Sequence, residues 1–301
     1  ATASVPAGYY LVKDQDPAEG TKLDAYTTYI VKVVDQNVTV APKSDVPSFE
    51  KKLKDSNDTE GTLSDWQDAA DWDMGDDVPF KLEGTVASNY ASYKTYYFAF
   101  HDTHDKAQLG DPENVVVKID GVEVNTGYKL NIVDDGFDVV FDDLKQTTAH
   151  AGSTITVEYT SKLLEGANIG SAGNKNTSNI EFSNDSNNDQ HRGKTPDDTV
   201  IVFTYKVVAN KVNEANQPLA GAGFTLYKKD TQGTYQMVKE IAAGTGTTFE
   251  FKGLDDGDYK LEETTVPAGY NKLDDIEFTV TSVKDDAGKK LVSINGIAAT
   301  G

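Results

Sequence analysis

Alternation of apolar and polar side chains dominates this chain. Tyr29-Ile30-Val31-Lys32-Val33-Val34, Val38-Thr39-Val40, Val115-Val116-Val117-Lys118-Ile119, Phe137-Asp138-Val139-Val140-Phe141 and Thr154-Ile155-Thr156-Val157-Glu158-Tyr159 carry the pattern of strands. Asp120-Gly121, Asp135-Gly136, Asp256-Gly257 and Ala287-Gly288 fall between such runs and predict turns. Short strands at regular spacing predict an all-β chain built from tandem Ig-like β-sandwiches. One stretch breaks the pattern: Leu63 to Trp72, which Ser64 can cap, predicts a short helix on a connection.

Boundaries are expected near residues 43 and 207. Residues 1–43 hold too little apolar surface for a core of their own and read as the remnant of a truncated N-terminal domain plus a linker. Residues 44–207 form a β-rich middle domain, and residues 208–301 a C-terminal one. The strand Thr199 to Tyr205 runs almost directly into the last domain, which predicts an elongated, end-to-end rod.

Some polar residues share the phase of the core. In Phe49-Glu50-Lys51-Lys52-Leu53, Lys51 keeps step with Phe49 and Leu53, so Lys52 and Glu50 face water. Tyr96, Phe98, Phe100 and Asp102 alternate onto one face. Asn176 keeps step with Ile180 and Phe182, and Asn184 has the same phase. In the last domain Tyr259, Leu261 and Glu263 share a face, leaving Glu262 outward. Lys211 on the first strand and Asn295 on the last are placed like Lys51 and Asn176.

Lysine, carboxylic acid and asparagine buried together can fuse into an amide. Burial lowers the lysine pKa toward the free amine and raises that of the acid, which then polarises the asparagine carbonyl and shuttles protons as ammonia leaves. Contact between the groups makes the step effectively intramolecular. Each acid would act once, on its own chain, so no turnover is expected.

Composition narrows the functions. The chain has 301 residues, no cysteine, and a formal net charge of −21. That charge argues against nucleic-acid binding, which needs clustered Lys and Arg. Without cysteine, a secreted protein must resist unfolding by means other than disulfides. No apolar run approaches the length of a membrane span, and the chain reads as a mature or trimmed fragment. His101, Asp102, His104 and Asp105 invite a metal reading, but a polar strand end explains them. Asn184 to Asp189 lacks the order of a calcium loop. No metal or cofactor is expected.

Several segments resemble a known family. The lysine strand with Gln217-Pro218-Leu219-Ala220-Gly221-Ala222-Gly223-Phe224-Thr225-Leu226-Tyr227 and the box Tyr259 to Tyr270 look like a CnaB-type domain of Gram-positive surface proteins, over about residues 205–301. Gly75-Asp76-Asp77-Val78-Pro79-Phe80-Lys81-Leu82, the strand to Asp102, and Gly173 to Asn184 are similar to the CnaA-type domain of sortase-assembled backbone pilins, over roughly 44–207. That family often continues the aspartate strand differently from Thr103-His104-Asp105-Lys106. The resemblance implies isopeptide bonds Lys51–Asn176, assisted by Asp102, and Lys211–Asn295, assisted by Glu263. Asn184, Asn179 and Asn174 remain alternative acceptors, with Asn184 first among them, and Lys52 the alternative donor. By disulfide-type chain-entropy reasoning each bond would stabilise by about 4–5 kcal/mol.

Val38-Thr39-Val40-Ala41-Pro42-Lys43 resembles the pilin motif, in which the lysine joins the next subunit through a sortase. Lys43 must then stay accessible. The resemblance implies the structural backbone subunit of an extracellular, cell-wall-anchored pilus. Its partners would be identical subunits, a pilin-specific sortase, ancillary pilins and host surface ligands. A wall-anchored adhesin or ancillary pilin made of the same modules is the alternative, and such a protein has no need of Lys43. An enzyme on a sandwich scaffold predicts instead an open cleft with convergent acids.

Overall fold

The structure, a computed structural model, describes residues 4–15, 25–34, 38–39, 45–285, 290–295 and 297–298. Lys43 lies outside the described residues. Among the described residues the chain is all-β, with two single 3-10 turns, Tyr90–Ser92 and Leu144–Gln146.

Two sheets face each other in the middle part. One orders Val122–Glu123, Glu113–Ile119, Thr154–Lys162, Asp77–Thr85 and Phe49–Leu53. The other orders Lys129–Val133, Gly136–Phe141, Phe98–His104, Asn174–Ser183, Asp198–Phe203 and Ala69–Asp71, with Arg192–Lys194 added against Asn174–Ser183. Their inner faces meet in one apolar cluster that includes Leu53, Phe80, Leu82, Phe98, Phe100, Phe137, Val157, Tyr159, Ile180 and Val200. Alternation places these residues inward, and burial of each large apolar side chain stabilises by roughly 1.5–3 kcal/mol. The Asp120-Gly121 turn forms as predicted: both residues have positive φ, 51° and 78°, and Ile119 pairs with Val122.

The Leu63–Trp72 stretch is not helical. Ala69–Asp71 runs parallel to Ile201–Phe203, and Leu53 bridges Gln67. A helix this short has little stability of its own, and these residues instead complete a sheet edge, burying Ala69, Ala70 and Trp72.

Only Thr204 separates Asp198–Phe203 from the next strand, Tyr205–Asn210, so residue 207 lies inside a strand. Tyr205–Asn210 pairs with Thr248–Leu254. A four-stranded sheet orders Tyr235–Ile241, Gly223–Lys229, Gly257–Thr265 and Ile276–Val280, and a third sheet joins Ser282–Lys284, Leu291–Ile294 and Ile297–Ala298. A second apolar cluster, including Phe224, Phe251, Tyr259, Leu261 and Leu291, fills the space between them. Near the N-terminus, Gly8–Lys13 and Thr28–Val33 form a separate antiparallel pair.

Ion pairs join the two parts. Lys228 contacts Asp58 at 2.8 Å, Asp73 at 2.7 Å, and Asp255. Lys284 contacts Asp55 at 3.2 Å, and Asp71. Asp58, Asp73 and Asp255 are the one acidic trio among the described residues close enough to share a cation, and the Lys228 ammonium already lies among them.

Candidate functional site

The edge strand Phe49–Leu53 pairs with Asp77–Thr85, Lys51 opposite Leu82. Its alternation buries Lys51 completely, while Lys52 turns outward to Asp68 and Glu50. The backbone N–H of Lys51 donates to the Asp198 carboxylate at 2.8 Å. On the same sheet Tyr159 lies opposite Phe80, next to Leu53 across the Asp77–Thr85 strand. From the facing sheet, Asn176 pairs with His104, and Ser178 with Asp102. Period-two geometry on these two strands turns Asp102, His104 and Asn176 inward, all of them buried.

The five side chains meet in the core. The Lys51 ammonium contacts Asp102 Oδ2, and lies 3.0 Å from Tyr159 Oη. The Tyr159 hydroxyl donates to Asp102 Oδ2 at 2.9 Å. Asn176 Nδ2 donates to Tyr159 Oη at 3.0 Å. His104 Nδ1 lies 3.2 Å from the other Asp102 oxygen, Oδ1. Asn176 Oδ1 and His104 Nε2 are buried with no hydrogen-bond partner among the described residues.

Burial pushes the Lys51 amine below its ordinary value, against the pull of Asp102. For Asp102, burial pushes upward, but the Lys51 charge and the hydrogen bonds from His104 and Lys51 outweigh it and hold the carboxyl low. Burial alone predicts a raised carboxyl pKa; the direction is reversed here because Asp102 is paired with Lys51. The Asn176 amide nitrogen is held by Tyr159, and among the described residues no hydrogen bond joins Asp102 to Asn176.

The alternative acceptors are occupied elsewhere. Asn174 donates to the carbonyls of Asn168, at 3.1 Å, and Val202, at 3.0 Å. Asn179 donates to Asp197 at 2.8 Å. Asn184 lies beyond the end of the strand, about 27 Å from Asn176 at ~3.4 Å per residue, where its backbone oxygen accepts from Tyr26 N–H. The metal reading fails on geometry: Asp102 and His104 point inward, whereas His101 points outward, to Asp138 at 2.7 Å and Glu181 at 3.4 Å.

The second predicted site is only partly assembled. Glu263 is buried in the strand Gly257–Thr265, in phase with Tyr259 and Leu261. Lys211 Nζ lies 2.9 Å from Glu263 Oε1, and Leu273 N–H donates to Oε2 at 2.8 Å. Asn295 is elsewhere and exposed. It has a φ of 48° between the paired residues Ile294 and Ile297, a turn position. Its Oδ1 accepts from Thr281 N–H at 2.7 Å, and its Nδ2 donates to the Thr279 carbonyl at 2.9 Å. Among the described residues no hydrogen bond joins it to Lys211 or Glu263. The buried placement expected for Asn295 is therefore not met, because Asn295 takes the turn position after Ile294.

Sequence reasoning missed two members of the first site, Tyr159 and His104. Tyr159 was visible as an inward position, in phase with Ile155 and Val157. Its hydroxyl contacts come from strands far apart in sequence, and no local pattern signals them.

Residues 205–296 match the family model described as the SpaA prealbumin-like fold domain. No curated protein matches the sequence significantly. Among solved structures the chain is similar to a 35 kDa C-terminal fragment of the major pilin GBS80 of Streptococcus agalactiae, at 21% identity and a TM-score of 0.57, covering 78% of this chain and 91% of that one. BcpA, the major pilin subunit of Bacillus cereus, gives 21% and 0.58, with 92% and 82% covered. The full-length major pilin SpaD from Corynebacterium diphtheriae gives 21% and 0.60, with 90% and 70% covered. The chain has the fold of these major pilins. Within that fold, the five buried side chains occupy the space between the two sheets of the middle sandwich. Among the described residues no helix is long and apolar enough to cross a membrane.

Proposed function

We propose that this chain is a structural backbone subunit of an extracellular Gram-positive pilus, hardened by a self-formed amide between Lys51 and Asn176. The observation that carries this reading is the buried contact set of Lys51, Asp102, Tyr159 and Asn176 in a fold shared with major pilins. Asp102 takes a proton from Lys51, the free amine attacks Asn176 Cγ, and ammonia leaves. The chain is reactant and product at once, and acts on no separate substrate.

Lys211 and Glu263 would supply the amine and the acid of a second amide, a bond that the described placement of Asn295 leaves unformed. Its acceptor, Asn295, reaches Lys211 only if the final hairpin leaves the Thr279–Thr281 backbone. Lys43, in its pilin-like motif, is the lysine through which a sortase would join one subunit to the next at the cell wall.

Intact mass tests the chemistry. A folded chain should weigh one ammonia less than its sequence, with the missing mass mapping to a peptide that joins Lys51 to Asn176. An unmodified mass would refute the cross-link. Assembly is tested in sortase-bearing cells, where Lys43→Ala should abolish polymer ladders. Persistent ladders would assign the linkage to another lysine, and wild-type chains anchored only singly would favour an adhesin built from the same modules.

A further inference from the structure

We propose that the phenol of Tyr159 is a catalytic group of the Lys51–Asn176 reaction, relaying a proton from Asp102 to the departing nitrogen of Asn176. This inference rests on the reading above and supplies a step that reading lacks. An amide nitrogen cannot leave as an anion and must be protonated as its bond to carbon breaks. Among the described residues no hydrogen bond links Asp102 to Asn176; the hydrogen-bonded path between them runs through Tyr159 Oη. Tyr159 Oη touches every group that must exchange protons: Lys51 Nζ at 3.0 Å, Asp102 Oδ2 at 2.9 Å, and Asn176 Nδ2 at 3.0 Å. His104 is on Asp102 Oδ1, and among the described residues it hydrogen-bonds to neither reacting nitrogen.

The proton balance closes. Lys51 starts as an ammonium, Asp102 as a carboxylate, and Tyr159 as a phenol. One lysine proton passes to Asp102, and the free amine adds to Asn176 Cγ. Tyr159 then gives its proton to Nδ2 while taking the one held by Asp102. The new C–N bond sheds a second proton to Asp102, the Cγ–Nδ2 bond breaks, and ammonia departs. The products are an amide N–H, an intact phenol and a neutral Asp102, with every proton and charge accounted for.

The surroundings suit a relay. Burial and the neighbouring Asp102 push the phenol well above its ordinary value, so it remains a proton donor. The ring is fixed by stacking on Phe80, centroids 5.2 Å apart, and by an edge contact with Phe137 at 4.8 Å. At the Lys211–Glu263 pair, no tyrosine hydroxyl bridges lysine and acid among the described residues.

The test follows newly made full-length chain from cell-free translation, sampled over time, digested and scored by mass for the Lys51–Asn176 peptide. If wild-type chain never yields this peptide, both the cross-link and the relay fall. If it does, Tyr159→Phe keeps the ring and its packing, and should slow the peptide's appearance by about 10²-fold or more. Appearance at the wild-type rate in a variant with native near-ultraviolet circular dichroism overturns the relay and leaves the cross-link standing. If the variant does not fold, the wild-type rate in mixtures of light and heavy water decides. A relay moves two protons together and gives a bowed dependence on deuterium fraction, whereas a straight line overturns it.

Discussion

Among the described residues three lysines are nearly removed from water, and each meets different company. Lys51 faces one carboxylate, a phenol and an amide, and burial lowers its pKa. Lys211 faces Glu263, and among the described residues no asparagine side chain hydrogen-bonds to its amine. Lys228 is surrounded by Asp58, Asp73 and Asp255, whose combined charge overrides burial and holds its pKa above the ordinary value. Burial alone therefore does not make a lysine a nucleophile. A single acid can take its proton and leave a neutral pair; three acids keep the proton in place and make the lysine an ionic clamp between the two sandwiches.

The sharpest break in this comparison is Asp102→Ala. It should abolish the Lys51–Asn176 peptide and leave a buried ammonium without its partner, costing about 3–5 kcal/mol beyond the about 4–5 kcal/mol of the lost cross-link. Intact mass and denaturant melts report both. Asn176→Ala keeps the ion pair, so only the cross-link term and a small truncation cost should be lost, in all about 4–6 kcal/mol. If the two variants prove equally unstable, Asp102 does not stabilise Lys51 as argued.

Smaller changes sharpen the second and third sites. Asn295→Gly retains the left-handed backbone but loses the contacts with Thr279 and Thr281, for about 1 kcal/mol. If the chain remains in the described arrangement, its mass deficit is unchanged by this substitution. A deficit that shrinks by one ammonia would mean the hairpin does move onto Lys211.

The Lys228 clamp should show itself in pH dependence. Burial, with Asp73 adding to it, pushes Asp255 up to about 9, and burial with Asp71 pushes Asp256 up to about 7. Groups facing Asp255 are Lys228, Asp73, Asp58 and Tyr259; those facing Asp256 are Asp71, Lys284, Ser282 and, across the cluster, Asp55. Both carboxyls bind protons more tightly folded than unfolded, where Asp titrates near about 4. Their contribution is thus fully present below about pH 4 and is lost as pH rises through about 7 and then about 9. Energy transfer between dyes on the two sandwiches should report the tightest joint in mild acid, and a melting temperature a few degrees lower by about pH 9. A joint that tightens with rising pH would contradict the assignment.

Much of this was legible in the chain because β-structure has a period of two. That period alone separated Lys51 from Lys52, Glu263 from Glu262, and the inward Asp102 from its neighbours. It failed where another local rule competed. Asn295-Gly296 is a strong hairpin signal, and it took precedence over the asparagine's reading as an acceptor. Leu63 to Trp72 has Ser64 as a capping residue, yet pairing with Ile201–Phe203 decides its conformation. Tyr159, His104 and the Lys228 clamp depend on which strands face one another, which is a property of two sheets or two sandwiches and not of any window of sequence.

The middle site is split between facing sheets, with Lys51 and Tyr159 on one and Asp102, His104 and Asn176 on the other. No arrangement short of the closed sandwich brings amine and amide together, so the proposed bond would be a proofreading mark. It would be written only on molecules whose strands have found their native order. Once ammonia has diffused away the mark cannot be erased by later unfolding. In any preparation, the fraction of chains carrying it would count how many had folded at least once.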